Sequence, residues 1–345
     1  MPDYHDLTCV VHVHSTYSDG TGTVPEIAAA AARNGVDVVL LTDHDTLAAR
    51  RNGEERWHGP TLVLVGEEVS PRGRDHFLAF GVEREVKRGQ PSAGICAAVK
   101  DQGGFGFAAH PWSAGSPVFK RPGAMPWTDI DCEGLEGIEV WSFVTDTLES
   151  LRSVGEIVRF LARPGQWLDH PPATNVSEWD RLGARRRVVG IAGIDAHQIG
   201  IRVAGHVPIR LMSYARSFRY LHTHVLCDEL PSGDVEHDRD QVYSALRSGR
   251  CYMAVDSLAP ARGFAFGGDG LPMGSETAAA PVTLRARTPR PAVLRLLRDG
   301  SEIARVDGPS LEASVEEPGV YRVEALLTAG GRERTWILSN PVYLR

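Results

Sequence analysis

The chain has no CxxC pair, no excess of basic residues, no internal repeat, no low-complexity tract and no long uninterrupted apolar run. Each absence excludes something. The five cysteines (Cys9, Cys96, Cys132, Cys227 and Cys251) are scattered and odd in number. That argues against a disulfide framework or a thiolate zinc site and fits reduced thiols in a cytoplasmic setting. A formal net charge of −7 excludes duplex nucleic acid as a bulk electrostatic partner, while leaving a local basic pocket open. The short cluster Arg185-Arg186-Arg187 reads as a solvated helix end. No window reaches the roughly eighteen apolar residues a membrane span needs. The N-terminal MPDYHDLTCVVHVH has no basic segment followed by an apolar one, so no export signal is expected. What is present is ordinary: 345 residues, 42% apolar and 23% charged, enough for a large core-forming domain plus a smaller one.

The most informative stretch is Cys9–Gly22, CVVHVHSTYSDGTG. Cys9–Val13 is β-branched, and period-two alternation puts His12 and His14 on one strand face. With Asp19 just beyond, they have the character of first ligands to Zn, Mn, Fe or Ni. Two surface histidines on an edge strand is the other reading, and the rest of the chain decides between them. Pro25–Asn34 reads as a helix, with Pro near its start and Gly35 past its end. Val36–Leu41 is an apolar strand running into Thr42-Asp43-His44-Asp45. Thr61–Val65 runs into Gly66-Glu67-Glu68, with a hairpin partner expected at His76–Val82. Further helices are expected at Ser92–Gln102, Leu148–Leu161 and Glu178–Arg187. Strands are expected at Phe105–Ala109, ending at His110, at Ile138–Trp141, and at Val188–Ile194, ending in Asp195-Ala196-His197.

Apolar strands alternating with helices imply an α/β fold with a parallel sheet. The ligand-type residues Asp43, His44, Glu68, His110, Asp195 and His197 fall at strand C-terminal ends, the edge where parallel α/β folds place their chemistry. Buried structural strands have no reason to finish repeatedly in histidine and carboxylate. From about Ser257 the character changes to short alternating segments separated by turn signals, with PRPA at Pro289–Ala292 as one such turn. This predicts a small β-sandwich.

In order, HVHS, Asp19, TDHD, GEEVS, His76, AHPW and GIDAH resemble the signature segments of the polymerase and histidinol phosphatase (PHP) superfamily, across roughly residues 8–200. The later segments THVL, GRCY, RGFAF, GVYRVE and SNPVYLR are similar to its carbaryl-hydrolase-type branch. The resemblance implies a distorted (βα)7 TIM-like barrel over residues 1–256, with metals at its C-terminal mouth, followed by an Ig-like β-sandwich over 257–345. It also implies ligands. His12, His14, Glu68 and Asp195 would hold one metal, and Asp19, His44 and His197 a second. Glu68 would bridge to a third metal on His76 and His110. Glu68 is chosen over Glu67 by its spacing from Gly66, and Glu139 is the nearest candidate for a further ligand or neighbour. Two or three divalent ions (Zn, Mn or Fe) are implied.

Such a ligand set would carry too much buried charge to stand without cations. Two metals about 3.5–4 Å apart would turn a bridging water into hydroxide, with Asp195 or His197 as the proton acceptor. The expected function is a metal-dependent phosphoesterase acting on a small phosphomonoester or phosphodiester. The alternatives are a carboxylic ester, carbamate or amide hydrolase on the same site, and a catalytically inactive scaffold. His222 and His224 form a second His-x-His without an evident acidic partner, and a wall or hydrogen-bonding role suits His224. His5, His58, His170, His206 and His237 read as solvent histidines. Arg72, Arg74 and Arg202 are candidates to grip an anion, with surface solvation as the plainer reading. Loops 50–60, 113–128 and 165–177 are expected to shape the pocket.

Overall fold

The fold is seen in a computed structural model that describes residues 4–119, 123–203 and 206–345, with side chains described outside 199–211. Arg202 and His206 therefore lie outside the described side chains. In chain order the elements begin β1 (His5–Val13), α1 (Val24–Ala32), β2 (Val38–His44), α2 (Ala48–Arg51), β3 (Arg56–His58), β4 (Thr61–Val69) and β5 (Phe77–Phe80). They continue α3 (Ser92–Lys100), β6 (Phe105–Ala108), β7 (Gly137–Ser142), α4 (Phe143–Ser150), α5 (Val154–Ala162), a 3-10 turn (Pro164–Trp167), α6 (Ala173–Gly183) and β8 (Val189–Gly193). Then come β9 (Ile199–Val203), β10 (His206–Met212), α7 (Tyr214–Ser217), β11 (Leu221–Cys227), α8 (Val235–Ser248) and β12 (Cys251–Val255). The rest is strand: β13 (Ala265–Gly268), β14 (Leu271–Pro272), β15 (Glu276–Thr277), β16 (Val282–Arg298), β17 (Ser301–Val315), β18 (Gly319–Ala329), β19 (Arg332–Ser339) and β20 (Val342–Leu344).

The sheet has the mixed α/β character that the apolar strands call for. β1, β2 and β4 run parallel, and so do β6, β7 and β8. β5 is inserted antiparallel between the two sets, as the hairpin reading expects. Alternate residues feed two cores. Val10, Val39, Leu41, Val63 and Val65 pack with Ile27 and Ala31 of α1, whose start is a capping box of Thr23 and Glu26. Cys9, Val11, Val38, Leu40, Leu62 and Leu64 fill the other face.

The expected barrel is not confirmed, because among the described residues no ladder joins β8 back to β1. The two segments meet at an isolated bridge between Val13 and Ala196, with backbone hydrogen bonds from Ile194 N–H to Val11 O at 2.9 Å, His14 N–H to Ala196 O at 3.0 Å and Ala196 N–H to His12 O at 3.1 Å. The physical reason is local. His12 (φ 64°) and Asp195 (φ 55°) adopt the left-handed region, and the β1–β2 register shifts at His12, so regular pairing gives way where side chains turn inward. The C-terminal strands were expected as a separate sandwich. They pack around Leu284, Leu294, Tyr321, Val323 and Trp336, but that core also takes in Leu226, Tyr252 and Ala254 of β11 and β12, and the strands join the same 18-stranded sheet through β12 and β19.

Three local expectations are corrected. The single helix at Leu148–Leu161 is two, because Leu151 is extended and Ser153 caps α5, its Oγ accepting the Glu156 N–H at 3.2 Å. The helix expected at Glu178–Arg187 starts at Ala173 and ends at Gly183, and Arg186 beyond it donates to the Leu135 carbonyl at 2.7 Å. PRPA is no strand-ending turn. It lies inside β16, where the register shifts between Arg287 and Ala292, a bulge being where a strand tolerates proline. All five cysteines are buried and free. No described helix is long and apolar enough to cross a membrane.

Candidate metal centre

The end of each inner strand delivers one or two polar side chains to a common point. β1 contributes His12 and, one residue past its end, His14. β2 contributes His44, β4 Glu68, and the residues just after β6 and β8 contribute His110 and Asp195. Three of these, His12, His110 (φ 30°) and Asp195, carry positive φ without being glycine. Such backbone costs roughly 1–3 kcal/mol per residue and persists where the surroundings demand it.

Glu68 is the hub. Its Oε2 lies 3.3 Å from His12 Nε2, 3.3 Å from His14 Nε2 and 3.0 Å from His44 Nδ1. Its Oε1 lies 2.8 Å from His76 Nδ1 and 3.5 Å from His110 Nε2. Asp195 Oδ1 faces His12 Nε2 at 3.5 Å, His14 Nε2 at 3.6 Å and His197 Nδ1 at 3.4 Å, while its Oδ2 accepts from Thr145 Oγ1 at 2.6 Å. Asp19 Oδ1 lies 3.1 Å from His197 Nε2 and 3.7 Å from His44 Nε2. All nine residues singled out in the sequence thus meet in one cluster. It contains sets able to hold a cation: His12, His14 and Glu68; Glu68, His76 and His110; His14, Asp19, His44 and His197; and His12, His110 and Asp195. His14 belongs to the set of His44 and His197 as well as to its own.

Neighbours orient these groups. His44 Nδ1 lies 2.6 Å from Ser70 Oγ. Asp43 faces away from the cluster and holds its loop instead, accepting from Ser15 N and Oγ and from Ser18 Oγ. Glu67 also faces away: its Oε1 accepts the Val86 N–H at 2.7 Å, and burial pushes its carboxyl up to about 7. Glu139 supports two members of the cluster at once, with Oε1 3.1 Å from His12 Nδ1 and Oε2 accepting the His110 N–H at 2.7 Å. Sequence reasoning offered Glu139 as a further ligand or a neighbour, and its contacts here are those of a neighbour; Thr145 and Ser70 it missed.

Burial and crowding shape the electrostatics. Burial opposes charge on His12, yet Glu139, Glu68 and Asp195 together hold its imidazole well above the ordinary range. His14 goes the other way, pushed well down by burial and by His197. Burial also works against ionised Glu68 and Asp195, but the surrounding imidazoles hold Glu68 well below the usual carboxylate range and Asp195 down to about 2. The cluster balances its acids only by protonating histidines.

Several buried atoms have no hydrogen-bond partner: His12 Nε2, both ring nitrogens of His14, Glu68 Oε2 and His110 Nδ1. Buried polar atoms are normally satisfied. Neutral imidazole nitrogens and carboxylate oxygens converging in this way fit divalent cations, which would replace the protons.

The second histidine pair is differently made. His222 Nδ1 lies 2.7 Å from Asp256 Oδ2, and its Nε2 lies 2.9 Å from the Phe218 carbonyl. His224 lies 2.8 Å from Asp6 Oδ1 and 2.9 Å from Asp256 Oδ2. Every ring nitrogen there has a partner, so this cluster, though it could accept an ion, is satisfied without one. The acids come from the start of β1 and the end of β12, strand pairings that sequence could not supply. Of the expected solvent histidines, His5 and His58 lie in strands and His237 in α8. Arg74 pairs with Asp75 at 2.5 Å, and Arg72 is exposed.

Residues 11–103 match the family model of the PHP domain. Over 139 residues the chain is 25% identical to an uncharacterized protein of Methanocaldococcus jannaschii, covering 36% of this chain and 78% of that protein. Over 102 residues it is 38% identical to a phosphoribosyl 1,2-cyclic phosphate 1,2-diphosphodiesterase of Eggerthella lenta, a match spanning 27% of this chain and 36% of that enzyme's length. Among solved structures it is similar to a two-domain protein of Bacteroides vulgatus described as containing a predicted PHP-like metal-dependent phosphoesterase. That likeness has a TM-score of 0.47 and 18% identity, and covers 97% of this chain and 95% of that one. The resemblance to the PHP superfamily is thus shown, and none of these matches singles out the carbaryl-hydrolase-type branch.

Proposed function

We propose that the chain is a metal-dependent phosphoesterase that hydrolyses a small phosphomonoester or phosphodiester. The observation that carries this reading is Glu68, with five imidazoles around its two oxygens and buried ligand atoms left without partners. His12, His14, Glu68 and Asp195 would hold one cation, Asp19, His44 and His197 a second, and His76 and His110 with Glu68 a third. Zn, Mn or Fe would suit the donors. Bound there, divalent cations would polarise phosphoryl oxygens and make water acidic enough to attack at neutral pH.

The chain's own residues do the rest. Asp195, ionised and held by Thr145, presents Oδ1 as acceptor for the proton of the attacking water. His197 lies between Asp195 and Asp19, and Asp19 is 59% exposed on its side chain, which opens a route for that proton to solvent. Glu139 keeps His12 oriented.

The same reading takes residues 1–256 as a barrel-like catalytic domain and 257–345 as an Ig-like sandwich packed on it. Parallel pairing of β1, β2 and β4 and of β6, β7 and β8 supports the first, and the core around Trp336, built mainly from residues after 257, supports the second. Free, buried cysteines agree with a cytoplasmic setting.

The test is a parallel assay of bis-p-nitrophenyl phosphate and p-nitrophenyl acetate with added Mn or Zn. Metal-dependent release from the phosphate ester is expected. Cleavage of the acetate alone would overturn the phosphoesterase reading in favour of a carboxyl esterase, and no stoichiometric metal after dialysis would favour a scaffold.

A further inference from the structure

A cavity of about 580 Å³ lies where the inner strands begin, at the other end from the metal cluster. Phe105, the first residue of β6, is in its wall, and five residues later the same run delivers His110 to the cluster. Arg187 also lines it, just before β8, which leads to Asp195. At about 3.3 Å per residue, Phe105 and His110 stand roughly 15 Å apart. A small ligand in the cavity would not touch the cluster. α8 forms another wall: Arg239, Tyr243 and Arg247 follow at intervals of four, which sets them on one helix face, and all three line the cavity with Arg50 of α2.

Four guanidiniums thus share one space in a chain of net charge −7. Their ion pairs are long. Glu55 Oε1 lies 3.4 Å from Arg50 Nε and 3.4 Å from Arg239 Nη1, Asp240 lies 3.3 Å from Arg239 Nε, and Glu136 lies 3.8 Å from Arg247 Nη2. Arg187 is exposed and, among the described residues, forms no ion pair. Three carboxylates border the cavity as well. Glu55 is engaged, its Oε2 accepting the Val65 N–H at 2.9 Å, while Glu83 and Asp240 are exposed to water. Tyr243 supplies an independent observation. The residue is only 8% exposed, and its hydroxyl is buried without a hydrogen-bond partner. Buried hydroxyls normally find one.

We propose that this cavity is an anion site, separate from the metal cluster, that binds the dianionic phosphoryl group of a small compound. Guanidiniums present forked pairs of donors that match phosphate oxygens. The Tyr243 hydroxyl adds a neutral donor, because burial holds its phenol far above the ordinary range and keeps it protonated. A cation would meet four guanidiniums there, and an apolar group would leave the hydroxyl unpaired. A cavity of this size leaves room beside the phosphoryl group for a carbon skeleton. Arg187, the last of the basic cluster that reads in sequence as a solvated helix end, becomes one arm of the site. The inference is independent of the reaction at the cluster.

The test is calorimetric titration of the full chain with inorganic phosphate and with propylphosphonate, which carries the same dianionic head on a carbon chain and resists hydrolysis. Each is run with metal bound and after chelation. One saturable binding event that survives chelation is expected. It should weaken about tenfold in Arg187→Gln and about fivefold in Tyr243→Phe, from the loss of a charged and a neutral hydrogen bond. Arg187 has no ion pair to lose, and Tyr243→Phe removes only an unpartnered oxygen. Both variants should therefore unfold in urea at the wild-type midpoint or above it. His12→Ala should bind both probes as wild type does. Tighter binding of propylphosphonate would support an organic phosphomonoester as the occupant, and tighter binding of phosphate would support the free ion. Absence of saturable binding after chelation would overturn the proposal. So would binding that His12→Ala abolishes while Arg187→Gln and Tyr243→Phe leave it unchanged.

Discussion

Glu139 Oε1 lies 3.1 Å from Nδ1 of His12, both side chains fully buried, while the other Glu139 oxygen receives the His110 N–H. One carboxylate thus sets the ring of one candidate ligand and the backbone of another. Carboxylates behind metal-bound histidines typically account for 10–100-fold in affinity. Glu139→Gln is therefore expected to lower metal affinity by about that factor while the far-UV spectrum stays unchanged. Competition with a chelator, read by elemental analysis, measures it, and wild-type affinity in the variant would refute the orienting role.

Gly193 is the residue that makes room for this contact. A Cβ placed there would come 1.7 Å from Glu139 Oε1 and 3.1 Å from His12 Cβ. Gly193→Ala should displace Glu139 and reproduce the metal defect of the Gln variant, with a further loss of about 1–3 kcal/mol from overpacking. Urea unfolding together with metal analysis gives both numbers.

His12→Ala and Asp195→Ala test the cluster directly. Loss of a proton acceptor alone costs about 10²–10⁴ in rate, and loss of a shared ligand should abolish turnover. The fold is expected to be retained, with stability lowered by the loss of the cation and of the ion pairs each group makes with its neighbours. Undiminished kcat/KM in both variants would exclude the ligand assignment.

His224 predicts how stability depends on pH. Burial opposes its charge, but Asp256 and Asp6 hold it up to about 9, against about 6.5 in an unfolded chain. Its contribution is complete below about pH 6.5 and is lost as pH rises through 9, roughly 2–3 kcal/mol in all. The same contacts hold Asp256 and Asp6 low, so the carboxylate side is lost only as pH falls through the acid range. His44 is also held up to about 9, so the measurement is the difference between wild type and His224→Gln in urea unfolding from pH 6 to 10. A pH-independent difference would contradict the imidazolium assignment.

Removing metal should lower both activity and thermal stability. A ligand at a hundred times its Kd stabilises by about 2.7 kcal/mol, so a chelator should lower Tm by several degrees, and Mn or Zn should restore it. An unchanged melting curve across chelation and readdition would argue that the cluster binds no ion.

The order of strand-terminal ligands was readable without any structure. His44, Glu68, His110 and Asp195 each follow an apolar run, and chemistry at strand ends is a property of the chain's pattern. So were the hairpin after β4 and the first helix with its proline start. Glu139 was hard to read because it sits inside the apolar strand IEVW, where nothing local distinguishes a buried base from a misplaced charge. The split at Leu151 and the bulge at PRPA escaped for a related reason. Propensity favours continuity in one case and a turn in the other, and both yield to packing.

The sequence by itself determined which chemical groups end which strands, because hydrophobic period and ligand type are written residue by residue. Only the tertiary structure decided that Glu68 would face five imidazoles and that His224 would find Asp6 and Asp256. Those outcomes depend on contacts between segments distant in the chain, whose distances come from the packing of all the elements together.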